Sequence, residues 1–433
     1  SNAMKILFSP IGNTDPWRND RDGAMLHIVR HYQPDRVVLF FTESIWQGNQ
    51  HFSGQQAFDW VKIIQSINEN CQIEIKCDTI EVENDFDAYK DLFHQYLVEE
   101  KRKYPNAEIF LNVTSGTPQM ETTLCLEYVT YPDKMRCIQV STPLKTSNAK
   151  TKYAQADCQE VDLEIVNEEE SQQPSRCHKI AILSFREAIV RNQIKSLLDN
   201  YDYEAALQLV ASQKSFRNGK EIRKKLKELI DDIKMHRVFS YLIKQYPRNE
   251  KLQKALLHTI LLEMRHQRGD IAETLIRVKS IAEYIVEQYI QKNYPYLIIY
   301  KEDKPYFNVS YSQELTESYL ALMDSRNKKT NKKMTVDSLD RILGFPAYRD
   351  FLQLLEASNE MTNEMNKVNE INNLRNKVAH NLDSLNLDRD KNGRKITNAV
   401  TAVRTMLLAV FPEVQENDFH YLKQFNQSIK ELL

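Results

Sequence analysis

The chain has 433 residues, 42% of them apolar and 27% charged, which is the make-up of a soluble globular protein with room for two or three domains. Nine glycines exclude collagen-like and glycine-rich disordered chains, and no run approaches the ~18 apolar residues of a membrane span. The net charge of −2 conceals a division: residues 1–176 carry 17 Lys and Arg against 27 Asp and Glu, a net of −10, whereas the remainder carries 41 against 33, a net of +8. If one half grips a long polyanion, it is the second.

Ser1-Asn2-Ala3 ahead of Met4 reads as a tag-cleavage scar and is set aside. From there to residue 142, short aliphatic runs alternate with amphipathic segments. Strands are expected at Lys5–Ser9, Arg36–Thr42, Ile73–Ile80, Glu108–Thr114 and Met135–Thr142, with helices near 22–32, 53–67, 85–103 and 118–131. Such alternation gives βαβ units and a mainly parallel, doubly wound, Rossmann-like sheet. Val37-Val38-Leu39-Phe40-Phe41 is apolar throughout, as befits a strand covered on both faces. Residues 145–175 are polar and read as a short hairpin followed by a linker. The run Glu168–Ser175 marks the domain boundary, giving domains of 4–175 and 176–433.

After residue 180 the period becomes helical: Ile180–Asn200, Tyr203–Ser212, Gly219–Tyr246 and Leu252–Tyr289, then 313–325, 336–344, 347–383, 394–411 and 417–433. Tyr294–Tyr311 is aromatic and β-prone, so a small hairpin is expected among the helices. The loop Arg326–Lys333 concentrates five positive charges and reads as a solvated loop that can also meet RNA. The six cysteines form no C-x-x-C pair and the ten histidines no metal-binding motif. Reduced thiols, a cytoplasmic protein and no metal site are expected.

In a doubly wound sheet, ligands bind beyond the carboxyl ends of the strands, where helix N-termini point. Three loops there carry suitable groups: Ser9–Trp17, with Gly12, Asn13, Thr14, Asp15 and Trp17; Thr42-Glu43-Ser44; and Thr114–Met120, with Ser115, Gly116, Thr117, Gln119 and Met120. Gly116 permits a tight turn, Pro118 suits a first helical position, and the amides near Ser115–Gln119 can meet a phosphate. Hydroxyl residues at such places also cap helices. With the unit's net charge at −10, an anionic ligand depends on local amide and hydroxyl donors.

Leu374-Arg375-Asn376-Lys377-Val378-Ala379-His380 holds an arginine five residues before a histidine. Metal-free RNA cleavage needs a proton acceptor and donor working near neutral pH and a cation for the phosphorane. His380 and Arg375 can supply these, and Asn376 can position the phosphate. Arg21 and His27 have comparable spacing. On a helical wheel Arg375 falls within the apolar stripe Met361, Met365, Val368, Ile371, Leu374, Val378 and Leu382, and His380 lies about 140° away. Either the helix breaks near His380 or two chains share the site. A surface histidine beside a snorkelling arginine gives the same pattern.

Taken together, Gly12-Asn13-Thr14-Asp15-Pro16, Asn112-Val113-Thr114-Ser115-Gly116-Thr117-Pro118-Gln119-Met120 and Arg375–His380 resemble, over nearly the whole chain, the type III-A CRISPR-associated ancillary ribonucleases that join a CARF domain to a HEPN domain. The resemblance implies a homodimer that binds a cyclic oligoadenylate across its CARF two-fold axis and cleaves single-stranded RNA at a composite HEPN site, leaving a 2′,3′-cyclic phosphate and a 5′-hydroxyl. It implies no membrane and no stable partner protein. Some members slowly cleave the activator, and Thr117 with the Asn13–Asp15 loop are the candidates for that here. Many CARF domains read Gly-Gly-Thr where this chain has Ser115-Gly116-Thr117; resemblance to this branch favours six adenylates over four. An adenine is expected to stack on Trp17 or to meet Asp15 through its amino group. A ligand-gated RNA-binding module that cuts nothing is the alternative. A nucleotide-cofactor enzyme lacks support, since no G-x-G-x-x-G or G-K-[ST] is present.

Overall fold

The computed structural model describes residues 3–18, 21–48, 51–52, 56–80, 85–143, 162–327, 333–357 and 359–433. Contacts divide the chain into two units, Ser1–Ile189 and Val190–Leu433.

The first unit is built on a six-stranded sheet: β1 (Lys5–Pro10), β2 (Arg36–Thr42), β3 (Gln72–Asp78), β4 (Glu108–Asn112), β5 (Met135–Val140) and β6 (Cys177–Ile180), in the order β6-β5-β4-β1-β2-β3. All neighbours are parallel except β6, which runs antiparallel to β5 and pairs Cys177 with Val140. The alternation of side chains along a strand explains the all-apolar runs. Leu7, Val37, Leu39, Phe41 and Phe110 face one core with α1 (Ala24–Tyr32) and, beyond α2 (Glu43–Gly48), α3 (Trp60–Gln65). Ile6, Phe8, Val38, Phe40, Ile109 and Leu111 face another with α4 (Phe86–Lys103) and α5 (Pro118–Thr130). Because β4, β1 and β2 are adjacent and parallel, the three expected ligand loops leave the same sheet edge side by side.

The boundary read at Glu168–Ser175 differs from the structure. Its first part ends a helix, α6 (Leu163–Ser171), and the chain then returns to the sheet as β6, so the first unit continues to Ile189. Buried Glu170 explains this: its carboxylate receives Arg21 Nε at 2.7 Å and pins α6 inside the unit. Residues 144–161, which include most of the expected hairpin and Cys158, lie outside the described residues.

Among its described residues the second unit is helical apart from the hairpin β7 (Ile298–Lys301) and β8 (Lys304–Phe307), which lies where the aromatic run predicts it. Its helices are α7 (Leu183–Asp199, begun in the first unit), α8 (Tyr203–Ser212), α9 (Gly219–Met235), α10 (Ser240–Gln245), α11 (Glu250–Arg268), α12 (Ile271–Asn293), α13 (Gln313–Arg326), α14 (Phe345–Leu354), α15 (Asn359–Asn369), α16 (Asn372–Ala379), α17 (Asn392–Val410) and α18 (Tyr421–Leu432). Three long expected helices are broken. His236 and Gly269 turn left-handed and end α9 and α11. The segment 347–383 becomes α14, α15 and α16. Met361, Met365, Val368, Ile371 and Leu374 are buried as the wheel requires, but Leu382, past the end of α16, is 88% exposed. Arg326 is not a free RNA-binding charge: its guanidinium forms a forked pair with Asp350 at 2.7 and 2.8 Å. Residues 328–332 of that loop lie outside the described residues.

Candidate functional sites

The first site grows from Asn112, fully buried at the end of β4. Its Nδ2 donates to Ser9 Oγ on β1 at 2.9 Å, and its Oδ1 accepts the Thr114 and Ser115 amides at 3.0 and 3.3 Å. One side chain thus ties the loop after β4 to β1. Thr114 Oγ1 accepts the Val140 amide at 2.8 Å, which fixes the loop to β5 as well. Gly116 then takes φ +96°, a conformation open to glycine and strained for other residues. Thr117 caps α5 by accepting the Met120 amide at 3.3 Å, and Pro118 follows at the first helical position. This geometry leaves the amides of Gly116, Thr117 and Gln119 unbonded among the described residues; the Ser115 amide, one of the expected donors, is taken by Asn112.

The loop after β1 packs against this turn. A Cβ on Gly12 would lie 2.8 Å from Gly116 N, so the two backbones touch. Asp15 holds the loop's shape: its carboxylate receives the Gly12 amide at 3.0 Å and the Met25 amide at 3.3 Å. Burial pushes Asp15 up to about 6, and the Gly12 amide, the Ser115 hydroxyl and the Met25 amide offset only part of that. Ser115 Oγ lies near Asp15 but outside full hydrogen-bonding geometry, and it is buried.

The expected ligand residues therefore separate into two groups. Asn13 and Thr14 are exposed, and Gly12, Trp17, Thr114, Gly116, Thr117 and Gln119 are half-buried. Asp15, Thr42, Ser115 and Met120 are buried. Thr42 accepts the Ile45 amide at the start of α2, and Met120 belongs to the core under α5. Asp15 faces inward, not toward an adenine. Trp17 opens a short hairpin (Trp17–Arg18 with Arg21–Asp22) and meets the Phe58 ring edge-on at 6.0 Å.

Behind this loop is a buried ion network that the sequence reading missed. Asp22 receives Arg30 Nε and Nη2 at 2.7 and 3.1 Å and faces His27 Nδ1 at 3.5 Å, while His27 Nε2 accepts the Arg176 amide at 2.9 Å. Asp22, His27 and Glu170 converge closely enough to hold a metal ion. Both carboxylates, however, are neutralised by arginines, and the His27 Nε2 lone pair is in use, which marks a structural network. Arg21 and His27, the second pair with suitable spacing, are absorbed in it.

The second site is the end of α16. Arg375 continues the helix by donating its amide to Ile371 O, and α16 stops at Ala379 with His380 as its C-cap, a break that is one of the two arrangements the helical wheel allows. His380 and Asn376 are exposed. The Arg375 Nε is buried and has no hydrogen-bond partner among the described residues. Burying a guanidinium N–H unpaired is costly, a cost that the Nε of Arg176 and of Arg349 also carries.

Comparison with known proteins agrees with this layout. Family models match in order: the Csm6 CARF domain over residues 70–177, the Csm6 6H domain over 180–229 and the Csm6 HEPN domain over 241–430. A solved structure of Enterococcus italicus Csm6, bound to cyclic hexa-2'-fluoro-hexa-dAMP, is 95% identical, covers 100% of both chains and has a TM-score of 0.70. The chain belongs to the Csm6 family. More distant relatives are the CRISPR system endoribonuclease Csm6 of Streptococcus thermophilus, 27% identical over 99% of this chain and 100% of that protein, and that of Mycobacterium tuberculosis, 31% identical over 48% and 50%. The Csm6 family is a CARF–HEPN family of type III ancillary ribonucleases, so the α/β unit is its CARF domain and the helical unit contains its HEPN domain. The family models further divide the helical part into 6H and HEPN segments, a division the sequence reading did not make. No helix among the described residues is long and apolar enough to cross a membrane.

Proposed function

We propose that this chain is a metal-independent endoribonuclease that a cyclic oligoadenylate switches on, and that it cleaves single-stranded RNA in type III CRISPR defence. The observation that carries this reading is the exposed His380 at the end of the helix that bears Arg375, whose buried Nε has no hydrogen-bond partner among the described residues. In the reaction, the O2′–P bond forms as the P–O5′ bond breaks. One His380 takes the 2′-proton and the His380 of a second protomer gives a proton to O5′, while Arg375 stabilises the phosphorane and Asn376 orients the phosphate. The two His380 side chains in these opposite roles would come from a homodimer, one from each chain.

The activator rests on the CARF loop edge. The free amides of Gly116, Thr117 and Gln119 at the start of α5 take phosphate oxygens, and Asn13 and Thr14 contact the sugar edge. Asp15, Thr42, Ser115 and Met120 shape these loops from beneath. The hexa-adenylate analogue in the 95% identical relative supports six adenylates. Thr117 Oγ accepts from Met120, which leaves its O–H to donate to a phosphate, and we place slow activator cleavage there with the Asn13–Asp15 loop. The ligand arms the HEPN pair by binding the active arrangement better than the idle one. We place the protein in the cytoplasm, where its cysteines would stay reduced.

The test is RNA cleavage by purified protein with cyclic tetra- or hexa-adenylate, in chelator. Hexa-adenylate is expected to activate and the Arg375→Ala/His380→Ala variant to be inert. Undiminished cleavage by that variant refutes the catalytic assignment.

A further inference from the structure

Arg375 does not face its neighbour helix alone. α12 and α16 pack together in the second unit. On α12, Lys279 and Glu283 stand one turn apart on the same face. Both are half-buried, and both feel the Arg375 charge. Glu283 is held in place: its Oε2 accepts the Phe345 amide at 3.3 Å at the start of α14. Lys279 lies with Nζ 6.0 Å from the Phe345 ring centroid and makes no ion pair with a described carboxylate, Glu283 included. Burial, and after it the Arg375 charge, lowers the affinity of Lys279 for its proton. Two cations on packed helices thus feel each other's charge in a partly dehydrated setting, and neither makes an ion pair with a described carboxylate. Such an arrangement is unfavourable for folding and becomes favourable when an anion enters.

Resting on the ribonuclease reading above, we infer that Lys279 is a second phosphate-contacting cation of the HEPN site, set beside Arg375 to hold a non-bridging oxygen of the scissile phosphate. Glu283 is a positioning residue: fixed to the Phe345 amide, it supplies the negative charge that keeps Lys279 and Arg375 together before RNA arrives. Lys279 moves no proton. The phosphorane carries one more negative charge than the bound phosphodiester, so a fixed ammonium acts more strongly on the transition state than on the substrate.

The experiment uses full-length protein, saturating cyclic hexa-adenylate and a fluorescent single-stranded RNA. The arms are wild type, Lys279→Ala, Lys279→Arg and Arg375→Ala/His380→Ala. Lys279→Ala is expected to lower kcat by about 10- to 100-fold with an unfolding midpoint at or above that of wild type and an unchanged activator affinity. Lys279→Arg restores most of the rate. Binding of the same sequence with 2′-deoxy linkages, which cannot be cleaved, is expected to lose about 0.7 in the slope of log affinity against log salt on Lys279→Ala, the share of one phosphate contact. A Lys279→Ala rate within twofold of wild type overturns the proposal, as does a loss that Lys279→Arg does not recover. If Arg375→Ala/His380→Ala still cleaves, or wild type does not, the ribonuclease reading fails instead; the salt slope then judges Lys279, and an unchanged slope overturns it.

Discussion

Gly12→Ala isolates the contact on which the CARF site depends. The new Cβ would lie 2.8 Å from Gly116 N and 3.2 Å from Gly116 Cα, where ordinary contacts are 3.4–4 Å. The loops after β1 and β4 must therefore separate by about 0.6 Å. Gly116 cannot easily give way. Its φ of +96° is already fixed, and it is hemmed in by Met120 Sδ and Pro10 Cβ, which a Cβ there would meet at 2.8 and 3.0 Å. Overpacking of this size costs about 1–3 kcal/mol. If the loops relax apart in the free protein and must close again on the ligand, the whole cost appears as about 5- to 150-fold weaker activator binding. If they stay together, it appears as lost stability. Calorimetric titration with cyclic hexa-adenylate and urea unfolding of the full chain measure the two parts. Their sum is expected to reach at least about 1 kcal/mol. Affinity within twofold of wild type together with an unchanged unfolding midpoint would show that the loops do not touch, and the account of the site would fail.

Asp15 predicts an unusual pH dependence. Its folded-state value of about 6 lies above the ordinary 3.8, so its contribution to stability is fully present below pH 3.8 and is lost as pH rises through about 6. The full change is roughly 3 kcal/mol; comparison with Asp15→Asn, which cannot titrate, should show wild type losing that much relative stability between about pH 3 and pH 8, and parallel curves would refute it. Thr117→Ala removes the α5 cap and is expected to cost about 1 kcal/mol, whereas Thr117→Ser keeps it. If activator turnover follows the hydroxyl, Ser retains it and Ala does not; equal turnover in both removes Thr117 from the chemistry. Asn112→Leu leaves the Thr114 and Ser115 amides and Ser9 Oγ without their partner and is expected to destabilise by about 2–4 kcal/mol. Urea midpoints near wild type would show that Asn112 does not organise the edge.

Local pattern and geometry divide the credit for this architecture. Continuous apolar runs such as Val37–Phe41 and period-3.6 stripes such as Met361 to Leu374 are local signals, because the spacing of side chains follows from backbone geometry alone. They were enough to read the α/β unit, the helical unit and the inserted hairpin. The Arg375–His380 spacing is local too, and the wheel offers a helix end there as one of two arrangements. Other features needed the folded chain. The left-handed turns at His236 and Gly269 split helices whose stripes look continuous, since a stripe does not record a change of axis. Glu168–Ser171 reads as linker until Glu170 meets Arg21 across most of the first unit's length. Whether a polar loop residue faces solvent or the interior, as Asp15 and Ser115 do, depends on which distant amides and walls surround it. Lys279 and Glu283 bear no motif in their own helix; only the packing of α12 on α16 puts them beside Arg375. The chain's order of residues decides what each segment can become, and the long-range packing, in which charges must find partners or wait for a ligand, decides which of those residues form a site.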